Sequence, residues 1–171
     1  RPSTDTLIAA FEQTTDVYCL ELAGDEDAFA VCEAETASSA VDRRAPGLAT
    51  ARGITPARVR TLAYTHRASE LVASCEPTIA AAELAVEAAS FERRGSVAVR
   101  ARDVRSRTGV STQDAERRLG SILVDRGFTV DLDDPDHELR VLFSKGTVDG
   151  EQREACLIGW LTAESRRDFG E

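Results

Sequence analysis

Hydrophobic and polar positions change period several times along this chain, and each change marks an element. The run Val17-Tyr18-Cys19-Leu20-Glu21-Leu22 is short and apolar, the length of a buried strand. Residues 25–40 are good helix formers, with Asp25, Glu26 and Asp27 in the first turn, where the helix dipole favours acids. Pro46 and Gly47 break the chain. Residues 48–52 and 59–64 read as further strands, and residues 67–73 as a short helix. Pro77 opens a clearer helix over 78–89, with Ile79, Ala82, Leu84, Val86 and Ala89 as its expected packing residues. Residues 96–103 then alternate strictly. Val97, Val99 and Ala101 point one way; Ala98, Arg100 and Arg102 point the other.

A helical period returns after the turn at Thr108, Gly109 and Val110. Ser111 or Thr112 caps this helix, with Asp114 as a capping-box-like acid. Ala115, Leu119, Ile122 and Leu123 form its apolar stripe, and Gly127 is a suitable stop. Residues 128–132 are extended and 133–136 form a turn. Leu139, Val141 and Phe143 alternate as a strand, 145–150 form a hairpin loop, and 155–161 make a last strand with Cys156, Ile158 and Trp160 on one face. The order helix, strand, helix, strand, strand gives a crossover helix packed on a mixed sheet. The expected class is therefore α+β, with a small α/β unit over 17–76 and a second unit over 77–165. Residues 1–16, weakly helical around Leu7 to Phe11, read as a leader or tag, and 166–171 as the start of a linker.

Composition narrows the picture. Hydrophobic residues make up 42% and aromatics 5%, so the core must be built mainly from Ala, Val, Leu and Ile. No apolar run approaches the roughly 18 residues that cross a bilayer, and no secretory signal opens the chain. A cytoplasmic protein without membrane contact is expected. The absence of Met suggests a piece of something longer. Cys19, Cys32, Cys75 and Cys156 form no Cys-x-x-Cys pair, and His66 and His137 are far from them in sequence. Buried reduced thiols are expected rather than a zinc site. Net charge is −9, and of 21 basic residues only Lys145 is a lysine. Abundant Asp, Glu and Ala beside Arg in place of Lys suggests a salt-rich cytoplasm, the alternative being a GC-rich genome.

Charge is unevenly placed. Residues 93–107 hold Arg93, Arg94, Arg100, Arg102, Arg105 and Arg107 against the single acid Asp103. A charge run is usually a solvated face, but this one opposes the sign of the whole chain. Strand period puts Arg100 and Arg102 on one face, leading into Arg105 and Arg107. The planar guanidinium fork grips phosphate oxygens bidentately. At about 1 M salt the Debye length is roughly 3 Å, so such close contacts would have to carry the binding. The stretch is expected to hold RNA phosphates, extended by Lys145, Arg117 and Arg118, with Arg43 and Arg44 as a second basic pair.

Rival chemistries find little support. A calcium loop starting at Asp131 needs Gly at its sixth position and Glu at its twelfth; Asp136 and Leu142 stand there. There is no dinucleotide or Walker loop. Asp134-Pro135-Asp136-His137 is not an Asp-Pro-Pro-Tyr sequence, and neither Asp125 nor Glu116 has an evident partner as a base. His66 reads as a core or surface residue.

The run Gly95-Ser96-Val97-Ala98-Val99-Arg100-Ala101-Arg102, the helix end Leu123-Val124-Asp125-Arg126-Gly127-Phe128, and the segment from Val130 through Asp131-Leu132-Asp133-Asp134-Pro135-Asp136 to Val141 together resemble a THUMP domain. The unit before it, with Tyr18-Cys19-Leu20-Glu21-Leu22 and Thr65-His66-Arg67-Ala68-Ser69-Glu70-Leu71, is similar to the N-terminal ferredoxin-like part of archaeal tRNA guanine-10 N2-methyltransferases. The resemblance implies binding to tRNA at its acceptor stem and 3′ tail, in aid of a methyltransferase domain that follows this chain and uses S-adenosylmethionine. A small activating subunit is a further expected partner. It also implies no cofactor and no catalytic residue in this chain. Arg100 and Arg102 fall on the family's basic strand. Two other readings stay open: the THUMP module of a 4-thiouridine synthetase, and an acidic protein-interaction domain whose arginines pair internally.

Overall fold

Strand β1 (Val17–Leu22) is buried along its whole length. It pairs antiparallel with β3 (Leu48–Arg52) and with β4 (Thr65–Cys75). The computed structural model describes residues 17–22, 40–54 and 65–164. The helix expected over 25–40 lies outside them save for Ala40, as does the strand expected over 59–64. Ala40 opens β2 (Ala40–Ala45), a strand that the sequence pattern did not suggest. Its Ala-Val-Asp-Arg-Arg-Ala run has too few apolar positions to alternate clearly, and it sits at the sheet edge, where charge discourages stray pairing.

Residues 67–73 are not a helix. They lie inside β4, paired with β1 on one side and β8 (Glu151–Glu164) on the other. Arg-Ala-Ser-Glu-Leu-Val-Ala favours a helix by propensity, but ladders on both sides of a central strand override it. The small residues have a use here. A Cβ on Gly159 would lie 2.9 Å from the Cβ of Ser69, so β4 and β8 approach closely.

Helix α1 (Ile79–Ala88) follows, its cap residue Thr78 accepting from the Ala81 amide at 3.1 Å. Ala82 and Val86 are buried, whereas Leu84, expected to pack, is exposed. Strand β5 (Ser96–Asp103) feeds a one-turn 3-10 segment (Val104–Ser106) and then α2 (Thr112–Asp125). The chain returns as β6 (Thr129–Val130) and β7 (His137–Val148), both parallel to β5. Among the described residues the α+β architecture is one mixed eight-stranded sheet in the order β2-β3-β1-β4-β8-β7-β5-β6. The predicted hairpin loop is tighter than 145–150. β7 runs on to Val148, and only Asp149 and Gly150, both at positive φ, make the turn.

Both faces of the part of the sheet built from β5, β7 and β8 are covered. On one, α1 and α2 pack Ala82, Val86, Ala115, Leu119 and Leu123 against Val97, Val99, Val141, Phe143, Cys156, Ile158 and Trp160. Arg126 ties the helices together. It ends α2 and donates to the Ala89 carbonyl at 2.9 Å and to the Glu87 carbonyl, at the end of α1 where the dipole is negative. On the other face, Cys19, Ala45 and Leu48 meet Val104, Leu142, Ala155 and Leu157. The sheet therefore curls until β1–β3 lie over β7 and β8, and the Ser144 hydroxyl donates to the Pro46 carbonyl at 2.6 Å.

Ser111 caps α2, its Oγ accepting from the Asp114 amide at 3.3 Å. Ser111→Ala is expected to lower stability by about 1 kcal/mol, read from the urea midpoint.

Candidate nucleic-acid interface

The curl of the sheet decides where the arginines go. Along β5, Val97 and Val99 enter the helix-covered core, so Arg100 and Arg102 belong to the opposite face. That face is not open. β1 crosses it and brings Glu21, 1% exposed at its side chain, against Arg140 of β7. Arg140 Nε and Nη2 donate to the two Glu21 oxygens at 2.9 and 2.7 Å, and Nη1 donates to Glu138 at 3.2 Å. Burial works to lower the Arg140 pKa, but the hydrogen bonds and charge of Glu21 outweigh it and hold the guanidinium above its usual range. Arg102 joins this cluster and donates to Glu21 Oε1 at 3.3 Å while staying partly exposed. Arg100 turns toward the sheet edge and donates to the Leu132 carbonyl at 2.7 Å. It borders an open groove between α2 and β6, whose walls include Val99, Gly120, Val124, Val130 and Leu132.

Arg93 and Arg94 lie at the other end of β5 from Arg105 and Arg107. Eight strand residues separate the pairs, about 26 Å at 3.3 Å per residue. Arg93 donates to Glu70 at 2.6 Å and stacks over Trp160 at 5.3 Å from the ring centre. Arg94 is exposed, and its carbonyl lies 3.1 Å from His137 Nε2. Asp136 fixes this corner. It accepts from the Ser96 amide at 3.0 Å, and its own amide donates to Ser96 Oγ at 2.8 Å. The Ser96 amide bond, with the hydroxyl second, holds the Asp136 carboxyl below its ordinary pKa. The acidic turn thus serves to fold the chain. Among the described residues no group of His, Cys, Asp and Glu side chains is arranged to hold a metal ion.

The opposite end of β5 carries a differently built loop. Asp103, the one acid in the basic stretch, accepts from the Thr108 amide, the Thr108 hydroxyl and the Gly109 amide at 3.0, 2.7 and 3.1 Å. Its carboxylate shapes the loop. Arg105 and Ser106 both take left-handed backbone angles, at φ 58° and 54°. Non-glycine residues seldom do so, and such strain clusters at functional sites. The loop projects Arg105 and Arg107 over two glycines. Arg105 Nη2 lies 3.8 Å from where a Cβ on Gly47 would be, and Arg107 Nη1 lies 3.3 Å from that point on Gly146. Lys145, exposed, precedes Gly146 on β7. Arg105 and Arg107 thus follow the carboxyl end of β5, over Gly47 and Gly146, while strand alternation sets Lys145 on the other face of β7 from Gly146.

Arg43 and Arg44 lie on β2, across the β7–β8 hairpin. Arg43 donates to Asp149 at 3.0 Å, and Arg44 contacts Ser74 at 3.4 Å and Asp42 at 3.9 Å. Arg153, which the sequence reading passed over, adds a cation here and donates to the Arg43 carbonyl at 2.6 Å. Its only signal was its place close to the turn. Arg117 and Arg118 are engaged on the outer side of α2 with Asp114 and Glu83, at 2.9 and 3.6 Å. The linear basic stretch is thus divided three ways: one end at Glu70 and Trp160, the middle at Glu21 and Leu132, and the other end over Gly47 and Gly146.

No family model matches the sequence, and neither does any curated protein. The fold does have solved relatives. TrmN from Thermus thermophilus matches with a TM-score of 0.59 at 23% identity, over 88% of this chain and 48% of that one. A 4-thiouridine synthetase, in complex with RNA and ATP, matches at 0.53 and 13%, over 87% of this chain and 42% of that one. A protein from Listeria monocytogenes described as a predicted N6-adenine-specific DNA methylase matches at 0.54 and 13%, over 84% of this chain and 40% of that one. At these identities the likeness is one of fold. The chain spans less than half the length of each of these three. Among the described residues no helix is long and apolar enough to cross a membrane.

Proposed function

We propose that this chain is an RNA-binding module of the THUMP type that presents tRNA to a catalytic domain in the same polypeptide. The pair Arg105 and Arg107 on a strained, Asp103-braced loop is the observation that carries the reading. Arg105 and Arg107 on one loop, with Lys145 as a further cation on β7, offer RNA phosphates a site on a chain of net charge −9. The fold shared with an RNA-bound 4-thiouridine synthetase and with proteins described as methylases supports it. In this reading 17–76 is the ferredoxin-like unit and 77–165 the THUMP unit, within one continuous sheet. The expected partners are the acceptor stem and 3′ tail of tRNA, a linked guanine N2-methyltransferase domain, and a small activating subunit. S-adenosylmethionine belongs to the linked domain and not to this chain. The apolar groove beside Arg100 offers room for an unstacked base of the tail, since sequence-specific RNA readers favour such single-stranded bases. The arginine bias fits a salt-rich archaeal cytoplasm.

Titration with intact tRNA and with tRNA lacking its 3′ tail tests the reading. Intact tRNA is expected to bind tighter. Equal affinities would overturn the acceptor-end assignment, and no binding of either would overturn the RNA reading. One observation favours the rival, a protein-interaction domain with internally paired arginines: Arg93, Arg102 and Arg43 are bonded to Glu70, Glu21 and Asp149. The same titration separates the two.

A further inference from the structure

Cys75 ends β4, and Cys156 stands directly opposite it on β8. Directly opposed residues of an antiparallel pair have Cα atoms about 4.5–5.5 Å apart. That separation lies inside the roughly 4.4–6.8 Å that a disulfide bridges. The two side chains share a face. Cys156 is fully buried in the helix-covered core, and Cys75, partly exposed, packs against the same cluster. Hydrogen bonding between the paired thiols lowers the Cys75 pKa against the effect of burial, and the same bond, followed by burial, raises that of Cys156. One thiol is thus accessible and the more acidic, the other enclosed behind it. Cys19 belongs to the cluster on the opposite face of the sheet.

We propose that Cys75 and Cys156 are a peroxide-reactive dithiol that closes to a disulfide across the β4–β8 seam. The Cys75 thiolate attacks one oxygen of the peroxide, the O–O bond breaks, and a sulfenic acid forms with release of water or an alcohol. The Cys156 thiol then attacks the Cys75 sulfur, loses its proton, and expels the sulfenic oxygen as water. Two thiols are oxidised by two electrons and one peroxide is reduced. Accessible low-pKa thiols beside a resolving cysteine are the usual targets of this chemistry. The bond would close a loop of roughly 80 residues and fasten the half of the sheet built from β2, β3, β1 and β4 to the half built from β8, β7, β5 and β6.

The test uses the full chain, reduced and then treated with one equivalent of hydrogen peroxide. Free thiols are blocked under denaturing conditions before tryptic digestion. A disulfide between the peptides spanning 68–93 and 154–166 is expected, with a Tm raised by roughly 5–10 °C and restored by dithiothreitol. Cys75→Ser should lose both the cross-link and the shift. Cys156→Ser should leave Cys75 as a sulfenic acid that dimedone captures. A cross-link from either residue to Cys19 or Cys32 would overturn the proposal. So would oxidation of Cys75 to the sulfinic acid without a cross-link in the unaltered chain, or both thiols surviving the peroxide.

Discussion

Replacing Glu21 by alanine is expected to lower stability by about 3–5 kcal/mol, the usual cost of leaving a buried charge without its partner. The carboxylate is enclosed and takes two donors from Arg140 and one from Arg102. Removing it leaves Arg140, 8% exposed at its side chain, without that carboxylate on a face that β1 still covers. Urea unfolding measures the loss. The double variant Glu21→Met with Arg140→Met should recover most of it, because apolar side chains of similar size often replace a buried pair at little cost. A loss below about 1 kcal/mol for Glu21→Ala would mean that water reaches Arg140 easily and that the pair does not clamp β1 onto β7.

Reversing Arg105, Arg107 and Lys145 together should give the largest functional effect. The triple variant Arg105→Glu, Arg107→Glu and Lys145→Glu is expected to weaken tRNA binding by at least about 100-fold at roughly 0.1 M salt. It should also flatten the dependence of log K on log salt by roughly 2 to 3, as three phosphate contacts are lost. Arg107 and Lys145 are exposed, so Arg107→Glu with Lys145→Glu alone should leave the urea midpoint nearly unchanged. Arg102→Glu should behave oppositely. It sets a carboxylate beside Glu21 and should reduce stability first. If Arg102→Glu lowers affinity with an unchanged midpoint while the triple variant binds normally, the interface lies along the middle of β5.

Much of the second half of the fold was legible because its elements announce themselves locally. Ser111 and Gly127 punctuate α2, and Val97 and Val99 give β5 its period. The first half was less so. The helical propensity of Arg67 to Ala73 was real, but β1 and β8 flank that segment from about 50 and 90 residues away, and no local pattern reports such neighbours. The candidate site divides along the same line. Charge located the basic stretch, and alternation put Arg102 on the face opposite Val97 and Val99, where Glu21 meets it. Alternation carries no information about what covers a face. The arrival of Glu21 depends on the curl of the sheet, and so does the meeting of Arg105 and Arg107 with Gly47 and Gly146.

The strand order has a consequence for synthesis. β4 is made early, and its central partner β8 begins roughly 75 residues later. At about 5–20 residues per second the ribosome leaves one edge of β4 without that partner for about 4–15 s. A nascent chain in that interval carries an uncovered strand edge, open to pairing with a neighbouring chain. Arg67 and Glu70 place charge along that edge, which would hinder such pairing until β8 emerges and the sheet can close.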